Sequence, residues 1–200
     1  MRLKLTKNEL RSWQYKLGQL EKYLPTLQLK KSLLQHEVNE TVLAYDQKMI
    51  EFDELKQKII EFAYLFSDLG GVSIKDIAHV ERLDTRTENI AGVSIKVLNK
   101  LIFKELNYSM FNTHPIVDTV VFFIHKIKTI EIELELLLDK KKRLEYELRE
   151  VSIRVNLFEK VLIPRAKENI KKIKVFLGDL ELAFICQAKA AQKKKLKHAI

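Results

Sequence analysis

Residues that break or staple a chain are scarce here. Five glycines and three prolines among 200 residues leave few tight turns and few helix breakers. A fold of many short elements is thereby disfavoured against long uninterrupted helices. One cysteine, Cys186, excludes an internal disulfide and fits a reducing compartment. No uncharged apolar run approaches the roughly 20 residues of a membrane span, and the N-terminus lacks the apolar core of a signal peptide. A soluble chain is expected.

Chemistry-bearing patterns are equally sparse. Neither GxxxxGK[ST] nor GxGxxG occurs, so no phosphate cradle is offered. His36, His79, His114, His125 and His198 are scattered, with no pair at metal-ligand spacing. His125 follows an apolar run and reads as a packed or surface histidine. Cys186 has lysines nearby but no base partner and reads as passive. Glu131, Glu133 and Glu135, then Glu145, Glu147 and Glu150, alternate with leucines and read as the solvated side of a helix. No catalytic residue, cofactor site or metal site is expected. The chain does not look like an enzyme by itself.

What is present is periodicity. From Ile116 the apolar residues step by four and three through Val120, Phe123, Ile127, Ile130, Leu134 and Leu137. After Lys141 the series resumes with Leu144, Leu148, Val151, Val155, Phe158 and Leu162. A 3.5-residue period makes a long helix with a narrow apolar stripe that needs a partner of similar length. The N-terminal part supplies one: Leu10, Trp13, Leu17, Leu20, Leu24, Leu27, Leu34, Val38, Tyr45, Phe52, Leu55, Ile59, Phe62 and Phe66, with Lys31, Thr41 and Lys48 as polar interruptions. Thr6-Lys7-Asn8-Glu9 has the form of a capping box. The helix it starts should run to about Ser67, some 90 Å at about 1.5 Å per residue. Pro25 should kink it. Past Leu162 the stripe moves forward by one residue to Ile163, Ala166, Ile170, Ile173, Leu177, Leu180 and Phe184, so a kink or local unwinding belongs at Pro164. Beyond Phe184 the pattern fades into a lysine-rich tail.

Between the two stripes the composition changes. Residues 74–83 and 92–106 read as strands joined through Asp84-Thr85-Arg86-Thr87-Glu88-Asn89. Gly-Val-Ser-Ile-Lys occurs at 71–75 and again at 92–96, a match too short for a repeat. Asn112-Thr113-His114-Pro115 starts the last helix. The expected fold is mainly α: a long antiparallel two-helix coiled coil with a small β-hairpin insert at the closed end. Its segments are 1–67, the insert 68–114, and 115–200 with a basic tail. Pairing Phe52 with Leu137 and Leu27 with Leu162 also sets Pro25 level with Pro164. That register faces Lys48 with Lys141 unless the ammonium groups reach Glu51, Glu145 or solvent. Registers displaced by one heptad keep the apolar stripes matched and avoid the contact.

Charge is unevenly placed. The net is +9, yet residues 1–36 alone carry +6 and residues 163–200 carry +7, leaving −4 for the 126 residues between. Antiparallel pairing brings the two basic segments together at the open end. Lys7, Arg11, Lys16, Arg165, Lys171, Lys172, Lys174, Lys189, Lys193, Lys194 and Lys195 are the candidate partner-interface residues, suited to steering toward an acidic partner. A shaft, a spacer, an adaptor or a basic nucleic-acid clamp all fit this description.

Three segments add a resemblance. Leu5-Thr6-Lys7-Asn8-Glu9-Leu10-Arg11, Glu88-Asn89-Ile90-Ala91-Gly92-Val93 and Arg154-Val155-Asn156-Leu157-Phe158-Glu159-Lys160-Val161-Leu162-Ile163-Pro164-Arg165 occur in that order. Together they resemble the D subunits of V-type (archaeal/vacuolar-type) ATP synthases. Tyr23-Leu24-Pro25-Thr26-Leu27-Gln28-Leu29-Lys30-Lys31 resembles the bacterial branch. The resemblance implies a non-catalytic central-stalk (rotor shaft) subunit that couples ATP synthesis or hydrolysis to ion translocation. The implied partners are the catalytic and regulatory head subunits around the open end, a small F subunit along the shaft, and a funnel subunit on the membrane ring. It implies no membrane span, no nucleic acid, and a cytoplasmic location peripheral to the membrane. The alternative is a basic coiled-coil adaptor that binds nucleic acid, or a secretion-machine stalk.

Overall fold

A computed structural model describes residues 3–61, 77–105 and 117–198, with side chains as far as residue 194. In chain order the described elements are helix α1 (Lys7–Glu61), strands β1 (Val80–Ile90) and β2 (Val93–Phe103), helix α2 (Val117–Leu157), a π turn (Phe158–Leu162) and helix α3 (Ile163–His198). The helical elements alone account for more than two-thirds of the chain, as expected of a mainly-α fold with a hairpin insert. Phe62, Phe66, the first Gly-Val-Ser-Ile-Lys and the 112–115 helix start lie outside the described residues. Contacts divide the chain into two compact units, residues 1–31 with 150–200 and residues 32–149.

In the first unit, α1 starts at a side-chain cap. Thr6 Oγ1 accepts the Glu9 backbone N–H at 3.3 Å, and the Thr6 carbonyl accepts the Leu10 N–H at 3.0 Å. Glu9 turns its Oε1 forward to the Trp13 indole N–H at 3.0 Å, and Lys16 sits over the Trp13 ring at 5.1 Å from its centroid. The helix continues through Pro25. Pro164 is handled differently. Its ring crowds the preceding turn and it has no N–H to give. Immediately before it the helix loosens, and the Ile163 N–H bonds back to the Phe158 carbonyl. A π turn takes up one extra residue, which accounts for the one-residue step in the stripe. Val151 and Val155 are buried before it, and Ile163, Ala166 and Ile173 after it.

Two ion pairs in this unit, Lys7 with Glu181 at 3.8 Å and Lys167 with Glu21 at 3.2 Å, show antiparallel pairing. They also show where pairing ends. Lys7 opens α1, so nothing in that helix lies beyond the level of Glu181. From residue 181 to 194 every side chain is exposed. Phe184, expected in the seam, is exposed because the partner helix has run out, and Leu180, level with the first turn of α1, is exposed as well.

In the second unit Leu34 and Leu144 are fully buried, and Leu55 packs with Ile130 and Leu134, flanked by Tyr45, Phe52 and Phe123. Thr41, polar at a seam position, is buried with its hydroxyl donating to the Glu37 carbonyl at 2.7 Å. Lys48 meets Glu51 at 3.1 Å, as expected, but its second partner is Glu133 at 2.9 Å. Glu133 is therefore not on the solvated side where its alternation with leucines had placed it.

The insert is an antiparallel hairpin whose pairing runs from Ile90↔Val93 to Val80↔Phe103. The expected connector, residues 84–89, is instead part of β1. The chain turns at Ala91-Gly92, with φ of 51° and 87°. Positive φ at both central residues is the turn whose twist matches a hairpin, and Asn89 Oδ1 fixes it by accepting the Gly92 N–H at 2.9 Å. A two-stranded hairpin is marginal alone and needs a surface to lean on. This one buries Ile95 and lies along the helices: Lys96, Val97 and Leu98 face α1 and α2 across a groove of about 480 Å³. Its turn sits beside Lys142, Arg143 and Tyr146. Its base is fastened by His125, which stacks on Phe103 at 3.9 Å between centroids and donates Nε2–H to the Ile77 carbonyl at 3.0 Å. Packing, not ligation, is the role of that histidine.

Candidate functional site

The charged residues of the two basic segments fall in one compact unit, residues 1–31 with 150–200, as antiparallel pairing requires. Lys7, Arg11, Lys16, Arg165, Lys171, Lys172, Lys174, Lys189, Lys193 and Lys194 are all exposed. Lys195 continues α3 as backbone. Lys16 and Arg165 come to one place, lining a groove of about 370 Å³ with Trp13, Leu20, Tyr23, Phe158 and Leu162. The remaining cations with described side chains are spread along the helices and exposed.

Ion pairing trims this charge. Lys7 is engaged by Glu181, and Lys172 by Glu168 one turn earlier at 2.6 Å. The hydrogen bond from Lys172 holds the Glu168 carboxyl below its usual range. Lys167, which was not among the expected interface residues, pairs with Glu21 across the two helices. Its signal was available in the heptad but needed the register to be read.

Sequence reasoning also missed the apolar component of this end. Val175, Phe176, Leu180, Leu182, Phe184 and Ile185 are exposed among the lysines. Two of them had been assigned to the seam, and the others sit on faces that a stripe-based reading treats as solvated. The basic end is amphipathic rather than purely charged. No group of three or more His, Cys, Asp or Glu side chains among the described residues could hold a metal ion. No described helix is long and apolar enough to cross a membrane.

An exposed surface that is both basic and apolar can recognise a partner. Comparison with known proteins gives this surface a context. A family model for the D subunit of ATP synthase matches residues 9–193. The D subunit of the V-type ATP synthase of Chlamydia abortus is 40% identical over 193 residues, covering 96% of this chain and 93% of its own. That of Chlamydia muridarum is 38% identical over 197 residues, covering 98% and 97%. The Chlamydia pneumoniae protein of the same name is 38% identical over 195 residues, covering 97% and 93%. The segment through the π turn and Pro164, on which the resemblance rested most, lies inside the matched range, and the chain belongs to the ATP synthase D-subunit family.

Proposed function

We propose that this chain is the torque-transmitting shaft of its complex, with the amphipathic basic end, residues 1–24 and 163–200, enclosed by the nucleotide-hydrolysing head. The chain is a central-stalk subunit of a V-type ATP synthase. In this reading its work is mechanical, and the bond-breaking belongs to other subunits. In this reading the shaft works at the cytoplasmic face, peripheral to the membrane, between the head subunits and a funnel subunit on the ion-carrying ring, with a small F subunit alongside. The reading of a nucleic-acid adaptor or secretion stalk draws no support from relatives that are all named as the D subunit of a V-type ATP synthase.

The observation that carries the placement is the last stretch of α3, where lysines and large apolar side chains are exposed together beyond the end of α1. A lone surface of this kind gains from burial in a partner, and lysines favour an acidic one. Removing residues 187–200 tests it. The remaining chain should keep its melting temperature, because the described side chains removed are all exposed, while ATP-driven ion transport by the assembled complex should fall. Transport and assembly untouched by removal of residues 163–200 would refute the placement. Hydrolysis by the purified chain, abolished by a point mutation within it, would refute the non-catalytic role.

A further inference from the structure

Heptad repeats specify that two stripes meet but not which turn meets which. If α2 slides by seven residues, Ile130 beside Leu55 is replaced by Phe123 or Leu137, both apolar. The seam alone therefore discriminates weakly between neighbouring registers. Something else must choose.

Four charged residues in the unit of residues 32–149 are placed to do so. Lys48 Nζ lies 2.9 Å from Glu133 Oε2, and Lys140 Nζ lies 3.9 Å from Glu37 Oε2. These cross-helix pairs are sheltered, with side-chain exposures of 37% and 30% for the first and 21% and 27% for the second. The cross-helix pairs of the other unit are exposed by 49–78%. The shelter has an identifiable source. Lys48, Glu133 and Lys140 line the groove whose opposite wall is Lys96, Val97 and Leu98 of β2. The hairpin thus lies over this stretch and reduces the screening of its charges by water.

Sliding α2 by seven residues in one direction puts Lys126 opposite Lys48 and Glu133 opposite Glu37. Sliding it in the other puts Lys140 opposite Lys48 and Glu147 opposite Glu37. Both attractive contacts become like-charge contacts in either direction. Sheltered charge pairs add little net stability, and the best-attested use of such pairs is to specify register.

We propose that Lys48–Glu133 and Glu37–Lys140, sheltered by the β-hairpin, form a charge code that locks the two long helices in one antiparallel register. They are positioning residues for torque transmission. Shear of one helix past the other is the soft motion of a two-helix coil, and a shaft that slips a heptad under load loses rotation it should deliver. That last consequence rests on the stalk reading; the register lock does not.

Exchanging the two charges on α1, Lys48→Glu with Glu37→Lys, tests it without changing net charge. The native register then holds two like-charge contacts, while each slipped register holds two attractive ones. In a Cys186→Ser background, spin labels on Asn39→Cys and Thr119→Cys, both exposed, report the helix-to-helix distance by pulsed electron resonance on the full chain. The parent protein should give one distance. The exchanged variant should populate a second, displaced along the axis by about 10 Å, seven residues at about 1.5 Å each. Adding Glu133→Lys and Lys140→Glu restores both native pairs and should restore the single parent distance. An exchanged variant that keeps the parent distance overturns the lock. If the exchanged variant does not fold, return of the fold and the parent distance in the fourfold variant supports the lock, and failure to return overturns it. In the assembled complex the exchanged variant should transport fewer ions per ATP. Normal coupling in a variant shown to be slipped would leave the lock standing and overturn its part in torque.

Discussion

Replacing Leu34 with alanine should cost about 2–5 kcal/mol, and replacing its neighbour Leu33 roughly 0.5–1 kcal/mol. The two residues are adjacent in α1 and undergo the same chemical change, so helix propensity, which favours alanine slightly, cancels between them. What differs is burial. Leu34 is 0% exposed and Leu33 is 50% exposed. Truncating Leu34 removes its side chain from the seam and leaves a void that close-packed neighbours fill only in part. Truncating Leu33 forfeits only the half of its surface that is covered. A gap of about 2–3 kcal/mol between the variants is expected from these terms. Urea denaturation followed by the helical circular dichroism signal measures it, as a fall in midpoint at unchanged slope. A stripe rotated by one residue would reverse the order. Finding Leu33→Ala equal to or worse than Leu34→Ala would refute the seam as described.

Three further outcomes are expected. Lys48 has its pKa raised, first by the hydrogen bond to Glu133 and then by that to Glu51, against the opposing effect of burial. A lysine pKa raised by folding gives stability that is complete below the unfolded value of about 10.4 and lost as pH rises through the folded one. The stability difference between the protein and Lys48→Gln should thus be flat near neutrality and shrink above about pH 10.5; a difference growing with alkalinity would contradict it. Deleting Lys160, exposed within the π turn, should convert the turn to regular helix and keep Ile163, Ala166 and Ile173 in the seam. Deleting Glu145, also exposed, should rotate everything after it by about 100° and abolish cooperative melting. Finally, His125→Ala removes both the Phe103 stack and the bond to the Ile77 carbonyl. It should destabilise by about 1–3 kcal/mol, with faster amide exchange in β1 and β2 as the specific sign.

Most of the helical architecture was legible because it is written locally. The seam of α1 follows the heptad from Leu10 to Ile59, and the Thr6 cap needs only three neighbours. The disturbance at Pro164 was legible twice, in the proline and in the one-residue step of the stripe. The hairpin was mislocated because Asp84, Thr85, Arg86, Thr87, Glu88 and Asn89 have the composition of a loop. They are strand residues whose exposed faces require no apolar alternation. The deciding signal was Ala91-Gly92, where only a positive-φ turn closes the hairpin. What could not be read were contacts between distant elements: His125 on Phe103, and β2 over Lys48 and Glu133. The exposure of Phe184 is of the same kind. It depends on α1 beginning at Lys7, far away in the sequence but level with Glu181.

The unequal reach of the two helices has a colloidal consequence for the purified protein. Where α3 continues past α1, Leu182, Phe184 and Ile185 are left bare among cations. Copies of the chain have an apolar reason to stick to one another at this end. Their shared positive charge, with an isoelectric point near 9.4, holds them apart. That repulsion reaches about 10 Å in 0.1 M salt but about 3 Å in 1 M, whereas the apolar attraction is not weakened by salt. The free protein is therefore kept dispersed by low ionic strength and by pH well under 9.4. Concentrated salt or a polyanion brings the bare ends together.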